Sequence, residues 1–220
     1  MDLDATRASR AAEILRTRGH AVTIMQFNQE ALTETGNKYT RLWQPNEFLI
    51  DAVSQIKRPI ATNPPRALDV ACGSGRDAVY LAMQGYNVDA IDILPDALTK
   101  AADLARRCSV QLTPREVDLE RDPHLPAEQY DLVMVFRYLQ RSLFPSLVSA
   151  IRPGGYIIYE TFHERNLQTG HKPRNPAHLL KTGELRTAFG EFEILIDRDG
   201  VERDGRFFSS ILARKPPMLR

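Results

Sequence analysis

Beyond residue 66, short apolar runs alternate along the chain with segments of helical periodicity. This alternation is typical of a mostly parallel sheet whose strands are joined by crossover helices. The predicted strands lie at residues 67–71, 87–91, 110–117, 131–136 and 156–162, and the predicted helices lie at 77–84, 95–107, 144–151 and 182–189. The third strand is the least regular of these, because Pro114 interrupts it.

The end of the chain departs from this alternation. Residues 192–197 and 206–214 are both strand-like, and the connection DGVERDGR (199–206) leaves no room for a helix between them. Parallel strands need a crossover of about a dozen residues or more, so these two strands must pair antiparallel. The predicted fold is therefore α/β: a Rossmann-like, seven-stranded, mostly parallel sheet with a C-terminal antiparallel β-hairpin.

A segment with three prolines, RPIATNPPR (58–66), precedes the first strand and excludes a helix or a central strand there. We therefore expect an N-terminal helical extension or cap over residues 1–57 and a cofactor-binding domain over residues 58–220. Within the extension, the spacing of apolar residues predicts helices near 7–18 and 45–56.

Composition restricts the class of partner. The formal net charge is +1, so no global field attracts nucleic acid or an anionic membrane. No apolar stretch is long enough to cross a bilayer, and the first ten residues do not resemble a secretory signal. Two cysteines, Cys72 and Cys108, indicate neither a disulfide framework nor a metal cluster. We expect a cytoplasmic protein with a small-molecule partner, without nucleic acid, membrane or metal.

The first predicted strand leads into a glycine turn, LDVACGSGRDA (68–78). Gly73 and Gly75 permit a tight turn and close approach of the backbone to a ligand, and the turn opens a helix whose first N–H groups are free. With Ala78, the turn also satisfies the looser dinucleotide fingerprint G-x-G-x-x-A. The glycines alone therefore leave a nicotinamide cofactor open as an alternative.

Carboxylates around the turn favour a different cofactor. Asp69 lies near the end of the first strand, Asp77 just past the turn, and Asp92 at the tip of the second strand. Asp69 and Asp77 would repel a pyrophosphate, whereas S-adenosylmethionine brings an ammonium, a sulfonium and a ribose diol. Asp69 is placed to face the ammonium and Asp92 to accept both ribose hydroxyls, in hydrogen bonds worth about 1.5–3 kcal/mol each. Ile93 is then expected to lie against the adenine.

A third carboxylate follows the third strand, in VDLE (117–120). Asp118 is placed to accept a hydrogen bond from the adenine amine, with Leu119 beside it. The alternative is that Asp118 is a solvated helix N-cap. Phe136, at the end of the fourth strand, completes the predicted cofactor contacts.

Four stretches together resemble class I methyltransferases of the tellurite-resistance and thiopurine-methyltransferase-like group. They are LDVACGSGRDAVYLA, VDAIDILPDAL, YDLVMVFRYLQRSLFPSL and IRPGGYIIYETF, and the resemblance covers about residues 39–215. It implies S-adenosylmethionine as cofactor, bound by the glycine turn and two acids, which here are Gly73, Gly75, Asp92 and Asp118. It also implies small, soft acceptors such as thiols or chalcogen oxyanions.

A second resemblance concerns TRASRAAEILRTRGHAV (6–22), which is similar to the closing helix and strand of a rhodanese module. No cysteine precedes Cys72, so the sulfur-transfer chemistry of that module does not carry over. An ordinary amphipathic helix is the alternative.

The fourth strand ends in Phe136-Arg137-Tyr138, where amino-methylating enzymes of this fold often carry an Asn/Asp-Pro-Pro-aromatic motif. Its absence argues against a nitrogen acceptor. Arg137 and Tyr138 favour an anionic or thiol acceptor, the alternative being a salt-bridged arginine and a packed tyrosine. His163, just past the fifth strand, is a candidate general base or orienting group at the same edge, or a loop histidine without a chemical role.

These residues predict a methyltransferase that uses S-adenosylmethionine and acts on a small-molecule acceptor, with a thiol or a chalcogen anion favoured. Two alternatives stay open: an NAD-dependent oxidoreductase, and a non-catalytic module that binds S-adenosylmethionine and regulates a partner.

Overall fold

The computed structural model describes residues 43–56 and 64–217. Seven strands form one sheet in the order β3-β2-β1-β4-β5-β7-β6. Their bounds are β1 Arg66–Val70, β2 Asn87–Asp92, β3 Leu112–Glu116, β4 Tyr130–Phe136, β5 Ile151–Phe162, β6 Glu193–Arg203 and β7 Arg206–Arg214. Strands β1 to β5 pair in parallel, and β7 runs antiparallel to both β5 and β6. The predicted Rossmann-like sheet with a closing hairpin is confirmed.

Five α-helices accompany these strands in the described part of the chain. They are α1 Glu47–Gln55, α2 Arg76–Met83, α3 Pro95–Arg107, α4 Phe144–Ala150 and α5 Glu184–Ala188. Pro95 opens α3, where its missing N–H costs no hydrogen bond. The side chain of Asn46 caps α1 by accepting a hydrogen bond from the backbone N–H of Phe48 at 2.8 Å.

The hairpin is longer than the sequence pattern indicated. Strand β6 continues through most of the connection and ends at Arg203, so that only Asp204 and Gly205 form the turn. Their φ angles are +52° and +75°, the left-handed pair that a type I′ hairpin turn requires. The tight turn brings Arg203 and Arg206 opposite each other in the ladder.

Pro114, which made the third strand irregular in sequence, lies in β3 at one edge of the sheet. It pairs with Ala90 of β2. An edge strand tolerates proline because one side of the strand has no ladder hydrogen bonds to make.

Apolar side chains fill both faces of the sheet. On one face the buried residues include Leu68, Val133, Leu147, Tyr159 and Phe189. On the other face α1 buries Phe48, Leu49 and Ala52 completely, in a cluster with Ala67, Leu81, Met134 and Phe136. Residues Gln44–Arg220 form one compact unit, so the helix and the sheet belong to the same body.

Several predictions lie outside the described residues. They are the helix near 7–18, the rhodanese-like segment, and the boundary between residues 57 and 58. In the part of the chain that is described, no helix is both long and apolar enough to span a membrane. No group of three or more histidine, cysteine and acidic side chains in that part is placed to hold a metal ion.

Candidate active site

The glycine turn after β1 is held by backbone geometry that few side chains allow. Ala71, Gly73 and Gly75 have φ angles of +56°, +54° and +74°. A Cβ at Gly75 would lie 2.5 Å from the Cβ of Ala101, so this glycine is required for α2 to pack against α3. A Cβ at Gly73 would meet no atom of residues 43–56 or 64–217 within 4 Å, so the turn presents open space toward these residues. One glycine therefore serves packing and the other leaves room for a ligand.

Asp92, at the end of β2, fixes this turn. Its Oδ2 accepts a hydrogen bond from the backbone N–H of Gly73 at 2.8 Å, and its Oδ1 accepts from that of Leu94 at 2.9 Å. A carboxylate has about four lone-pair positions, so both oxygens retain capacity for a ligand. The side chain that was predicted to bind a ribose therefore also shapes the turn.

A pocket of about 200 Å³ opens beside Asp92 at the carboxyl ends of the strands. Its lining consists of Ala71, Asp92, Ile93, Val117, Asp118, Leu119, Glu120 and Tyr138. Five of the predicted site residues are in this set: Asp92, Ile93, Asp118, Leu119 and Tyr138. Carboxylates and apolar side chains thus share one concave surface, which suits a ligand with a flat apolar ring and a diol.

The far wall of the pocket is a turn organised by Asp118. Its Oδ1 accepts hydrogen bonds from the backbone N–H groups of Glu120 and Arg121, both at 3.1 Å. The hydroxyl of Tyr138, which also lines the pocket, donates to Gln140, whose Nε2 donates to the carbonyl of Leu119 at 2.8 Å. Asp118 therefore caps a turn, which is close to the predicted N-cap role. It also faces the pocket, which the predicted adenine contact requires.

Asp69 lies behind the glycine turn and is 2% exposed. Within the described part of the chain, its Oδ2 has no hydrogen-bond partner. Burial, with added repulsion from Asp77, raises the pKa of Asp69 well above its usual value. Burial also raises the pKa of Asp77, although the backbone N–H of Asn46 donates to its Oδ1 at 2.6 Å. A cation bound near the turn would stabilise both carboxylates.

The described residues fit S-adenosylmethionine by their donor and acceptor chemistry. The unpartnered oxygen of Asp69 suits a cationic amino group, and the open face of Gly73 suits close approach by the amino-acid part. Asp92 and Ile93 line the pocket where a ribose and an adenine ring would be held. Phe136, also predicted to contact the cofactor, is 8% exposed and packs in the core beneath this edge.

Arg137 follows β4 directly and has a φ of +59°, a conformation that L-residues other than glycine seldom adopt. Its guanidinium lies 3.4 Å from Oε1 of Glu160 and 3.8 Å from the centre of the Phe208 ring. Burial lowers the pKa of Arg137 to about 10, against the opposing effect of Glu160, so the group stays charged at neutral pH. Its side chain is 37% exposed and can still reach a ligand.

His163 is buried between β5, the loop that follows it, and β6. Its Nδ1 accepts a hydrogen bond from the backbone N–H of Arg165 at 3.2 Å, and its Nε2 lies 3.2 Å from Oγ1 of Thr182 and 3.9 Å from Oδ1 of Asp199. The described residues that line the pocket do not include it. The structure therefore gives His163 three local partners at the β5–β6 side of the fold.

The comparisons with known proteins indicate the class of enzyme. Residues 67–155, from β1 to the start of β5, match a family model described as a methyltransferase domain. The chain contains an S-adenosylmethionine-dependent methyltransferase domain. The predicted cofactor and enzyme class are confirmed at this level. Membership of the tellurite-resistance and thiopurine-methyltransferase-like group stays a prediction.

Curated relatives of the methyltransferase domain carry diverse names. An uncharacterized protein of Schizosaccharomyces pombe is 24% identical over 87% of this chain and 69% of its own length. Hemagglutinin 1 of Eikenella corrodens is 29% identical over 74% of this chain and 59% of its own length. A ubiquinone biosynthesis O-methyltransferase of Rickettsia akari is 31% identical over 44% of this chain, which spans only 39% of that enzyme. The chain thus spans less than two thirds of the last two proteins.

Among solved structures, TehB from Haemophilus influenzae superimposes on this chain with a TM-score of 0.65. The match covers 81% of this chain and 64% of TehB, at 20% sequence identity. At this level of identity the likeness shows a shared fold.

The sequence predicted no role for a cluster of three polar residues: Glu160, Asn46 and Arg203. Glu160 is buried in the apolar strand β5, and its isolation as the one charged residue of YIIYETF (156–162) was a usable signal. Asn46 donates from Nδ2 to Oε1 of Glu160 at 2.8 Å, and Arg203 approaches the same oxygen at 2.7 Å. The roles of Asn46 and Arg203 could not be predicted from sequence, because both residues contact Glu160 from distant parts of the chain.

Proposed function

We propose that this chain transfers a methyl group from S-adenosylmethionine to a small-molecule acceptor, and that a thiol or a chalcogen anion is the preferred acceptor. The observation that carries the proposal is the position of Arg137. It is charged, partly exposed, and adjacent in sequence to Tyr138, which lines the cofactor pocket. An anionic nucleophile placed beside Tyr138 would lie next to a fixed positive charge.

On the cofactor side, we assign the amino group to Asp69, the amino-acid part to the turn at Gly73, and the ribose to Asp92. Adenine is assigned to the pocket between Ile93 and the turn at Asp118. The sulfonium supplies an already activated methyl group, so the task of the protein is alignment. Proximity and orientation supply about 7–11 kcal/mol in well-aligned reactions.

On the acceptor side, we assign Tyr138 an orienting role and His163 a structural one. Burial raises the pKa of Tyr138, so its hydroxyl stays protonated, and it donates to Gln140. His163 already has its local partners around β5 and β6. A thiol near a guanidinium ionises close to neutral pH without a dedicated base, which is why a soft acceptor suits this edge better than an alcohol or an amide.

The proposal is tested by an acceptor screen with methyl-labelled S-adenosylmethionine. The candidates are mercaptoacetate, 2-mercaptoethanol, selenite and tellurite, with bulk tRNA and a denatured protein mixture as macromolecular alternatives. We expect labelled product from at least one thiol or chalcogen anion, inhibited by S-adenosylhomocysteine. Robust transfer to tRNA or protein, with none to the small acceptors, would refute the small-molecule assignment.

Two further measurements address the alternatives. Calorimetric titration with S-adenosylhomocysteine and, separately, with NADH distinguishes this function from a dinucleotide-dependent one, and we expect binding of the first only. If S-adenosylhomocysteine binds but no acceptor is methylated, the regulatory module becomes the better description.

A further inference from the structure

One buried carboxylate on β5 holds two arginines from different parts of the chain. Oε1 of Glu160 lies 2.7 Å from Nη2 of Arg203 on β6 and 3.4 Å from Nη2 of Arg137 after β4. Oε2 of Glu160 accepts from Oγ of Ser210 on β7 at 2.7 Å. The carboxylate is 1% exposed, so the geometry of the two guanidiniums is set from beneath by a fixed group.

Phe208 on β7 further restricts both arginines. The guanidinium carbon of Arg137 lies 3.8 Å from the centre of its ring, and that of Arg203 lies 4.5 Å from it. Stacking on an aromatic ring orients a guanidinium and leaves its edge N–H groups available. The side chains of Arg137 and Arg203 are 37% and 26% exposed, so part of each faces solvent.

The hairpin brings a third guanidinium close to these two side chains. Arg206 lies opposite Arg203 in the β6–β7 ladder, and its charge acts on Arg137 as that of Arg203 does. Each guanidinium has five N–H donors, and Glu160 engages Nη2 of Arg137 and of Arg203. Both guanidiniums therefore keep N–H donors for a further anion.

We propose that Arg137 and Arg203, held by Glu160 and Phe208, form a binding site for a carboxylate group of the methyl acceptor. The acceptor would then be an acidic small molecule whose carboxylate lies over the hairpin and whose nucleophilic atom faces Tyr138. A carboxylate fits because its two oxygens match the planar fork of a guanidinium. This inference rests on the proposed function, and it adds Arg203 on the closing hairpin as a specificity-determining residue.

Binding without turnover tests the site directly. The probe is (methylthio)acetate, the S-methylated form of mercaptoacetate, titrated by calorimetry into protein saturated with S-adenosylhomocysteine. We expect Arg203→Gln to raise the Kd of the probe at least tenfold and Arg203→Lys, which keeps the charge but loses the fork, to have a smaller effect. Arg214→Gln is the matched control, because Arg214 also stacks on an aromatic ring, Tyr156, but at the opposite end of β7.

A second variant, Arg206→Gln, keeps the test informative if Arg203→Gln does not fold. Arg206 is exposed, so Arg206→Gln is expected to fold normally and to raise the Kd about two- to fivefold through the loss of one nearby charge. Absence of measurable binding by the unaltered protein, or equal binding by Arg203→Gln and Arg206→Gln, would overturn the proposal. Tighter binding of inorganic phosphate than of the probe would overturn the assignment to a carboxylate.

Kinetics separate this inference from the proposed function. Mercaptoacetate and its methyl ester differ in charge and share the thiol, so Arg203→Gln should raise KM for the acid at least tenfold and leave that for the ester within twofold. If neither thiol is methylated but the probe binds through Arg203, the acceptor assignment fails and the carboxylate site stands. If both are methylated with equal losses in the variant, the site fails and the methyltransferase assignment stands.

Discussion

The carboxylate of Asp92 accepts a hydrogen bond from the backbone N–H of Gly73 at 2.8 Å. The contact joins the tip of β2 to the glycine turn after β1, across the point where the two strands end side by side. Because Asp92 also lines the pocket, the same side chain shapes the turn and faces the proposed cofactor site. Loss of the charge and loss of the whole side chain should therefore have different consequences.

We expect Asp92→Asn to weaken binding of S-adenosylhomocysteine by at least tenfold while the protein keeps its melting temperature within a few degrees. A hydrogen bond to a charged group is worth about 1.5–3 kcal/mol, which is roughly 10- to 100-fold in affinity. The amide oxygen can still accept from Gly73, so the turn should survive, although the exposed hydrogen bond from Leu94 is lost. Asp92→Ala should lose affinity and stability together. Calorimetry and thermal unfolding measure both, and Asp96→Asn, in the exposed first turn of α3, is the control. Unchanged affinity in Asp92→Asn would remove this residue from the site.

The grouping of Asp92, Ile93 and Asp118 around one pocket could be predicted from sequence because these residues follow strand ends directly. In a parallel sheet these ends lie along one edge, so Asp92 and Asp118 could be placed together without knowing any side-chain contact. The hairpin could be predicted for a similar reason, since eight residues cannot hold a crossover. Its exact extent could not, because the Asp204-Gly205 turn competes with the earlier Asp199-Gly200 pair for the same role.

The surroundings of Arg137 could be predicted only in part. Arg137 was visible as an unusual residue after β4, but its pairing with Glu160 depends on the β4–β5 register, and its proximity to Arg203 depends on the length of β6. Both are set by tertiary packing. His163 was placed at the correct strand end, yet strand position alone does not say which way a side chain turns after the strand.

Gly73 and Gly75 should respond differently to alanine. Both need a left-handed backbone, which costs an L-residue about 1–2 kcal/mol. Gly75→Ala adds a Cβ at 2.5 Å from Ala101, and overpacking costs about 1–3 kcal/mol more. We expect Gly75→Ala to be the more destabilised by denaturant unfolding, with partial rescue by Ala101→Gly. The steric explanation is wrong if the double variant is no more stable than Gly75→Ala.

Gly73→Ala should instead impair cofactor binding. Gly85→Ala is the matched control, because both glycines have a positive φ and open space at the Cβ position, +54° at Gly73 and +86° at Gly85. The free energy of unfolding should fall by a similar amount in the two variants. Only Gly73→Ala should weaken the binding of S-adenosylhomocysteine. Equal affinities would mean that the ligand does not approach the turn at Gly73.

Asp69→Asn should stabilise the cofactor-free protein at neutral pH and weaken its affinity for S-adenosylmethionine. Burial raises the pKa of Asp69 in the folded state, so the folded protein holds this proton more tightly than the unfolded chain. Stability from this group is complete below the ordinary aspartate pKa of about 3.9 and declines as the pH rises through the raised value. Asparagine removes that decline.

The comparison is made by denaturant unfolding of both proteins from about pH 4.5 to pH 8. The stability advantage of Asp69→Asn should grow with pH and shrink toward the acidic end. Saturating S-adenosylmethionine should stabilise the unaltered protein more than the variant, because the cofactor ammonium compensates the buried carboxylate. A pH-independent difference between the two proteins would show that Asp69 carries no charge penalty in the fold.

Arg137→Ala should raise KM for an anionic thiol more than for a neutral one, by about tenfold for mercaptoacetate and by less than twofold for its methyl ester. An exposed ion pair is worth only about 0–1 kcal/mol, but Arg137 is partly buried, stacked on Phe208 and held by Glu160. Loss of Arg137 should therefore weaken the binding of a charged acceptor by more free energy than loss of an exposed ion pair would. Arg137→Gly relieves the positive φ at this residue and serves as a second variant, since it removes the same charge without backbone strain. Both variants should show the same selectivity for the anion, read from initial rates at saturating S-adenosylmethionine. Equal losses for both acceptors would contradict this selectivity, because they would place the effect of Arg137 on the thiol that both acceptors share or on the structure of the β4 end.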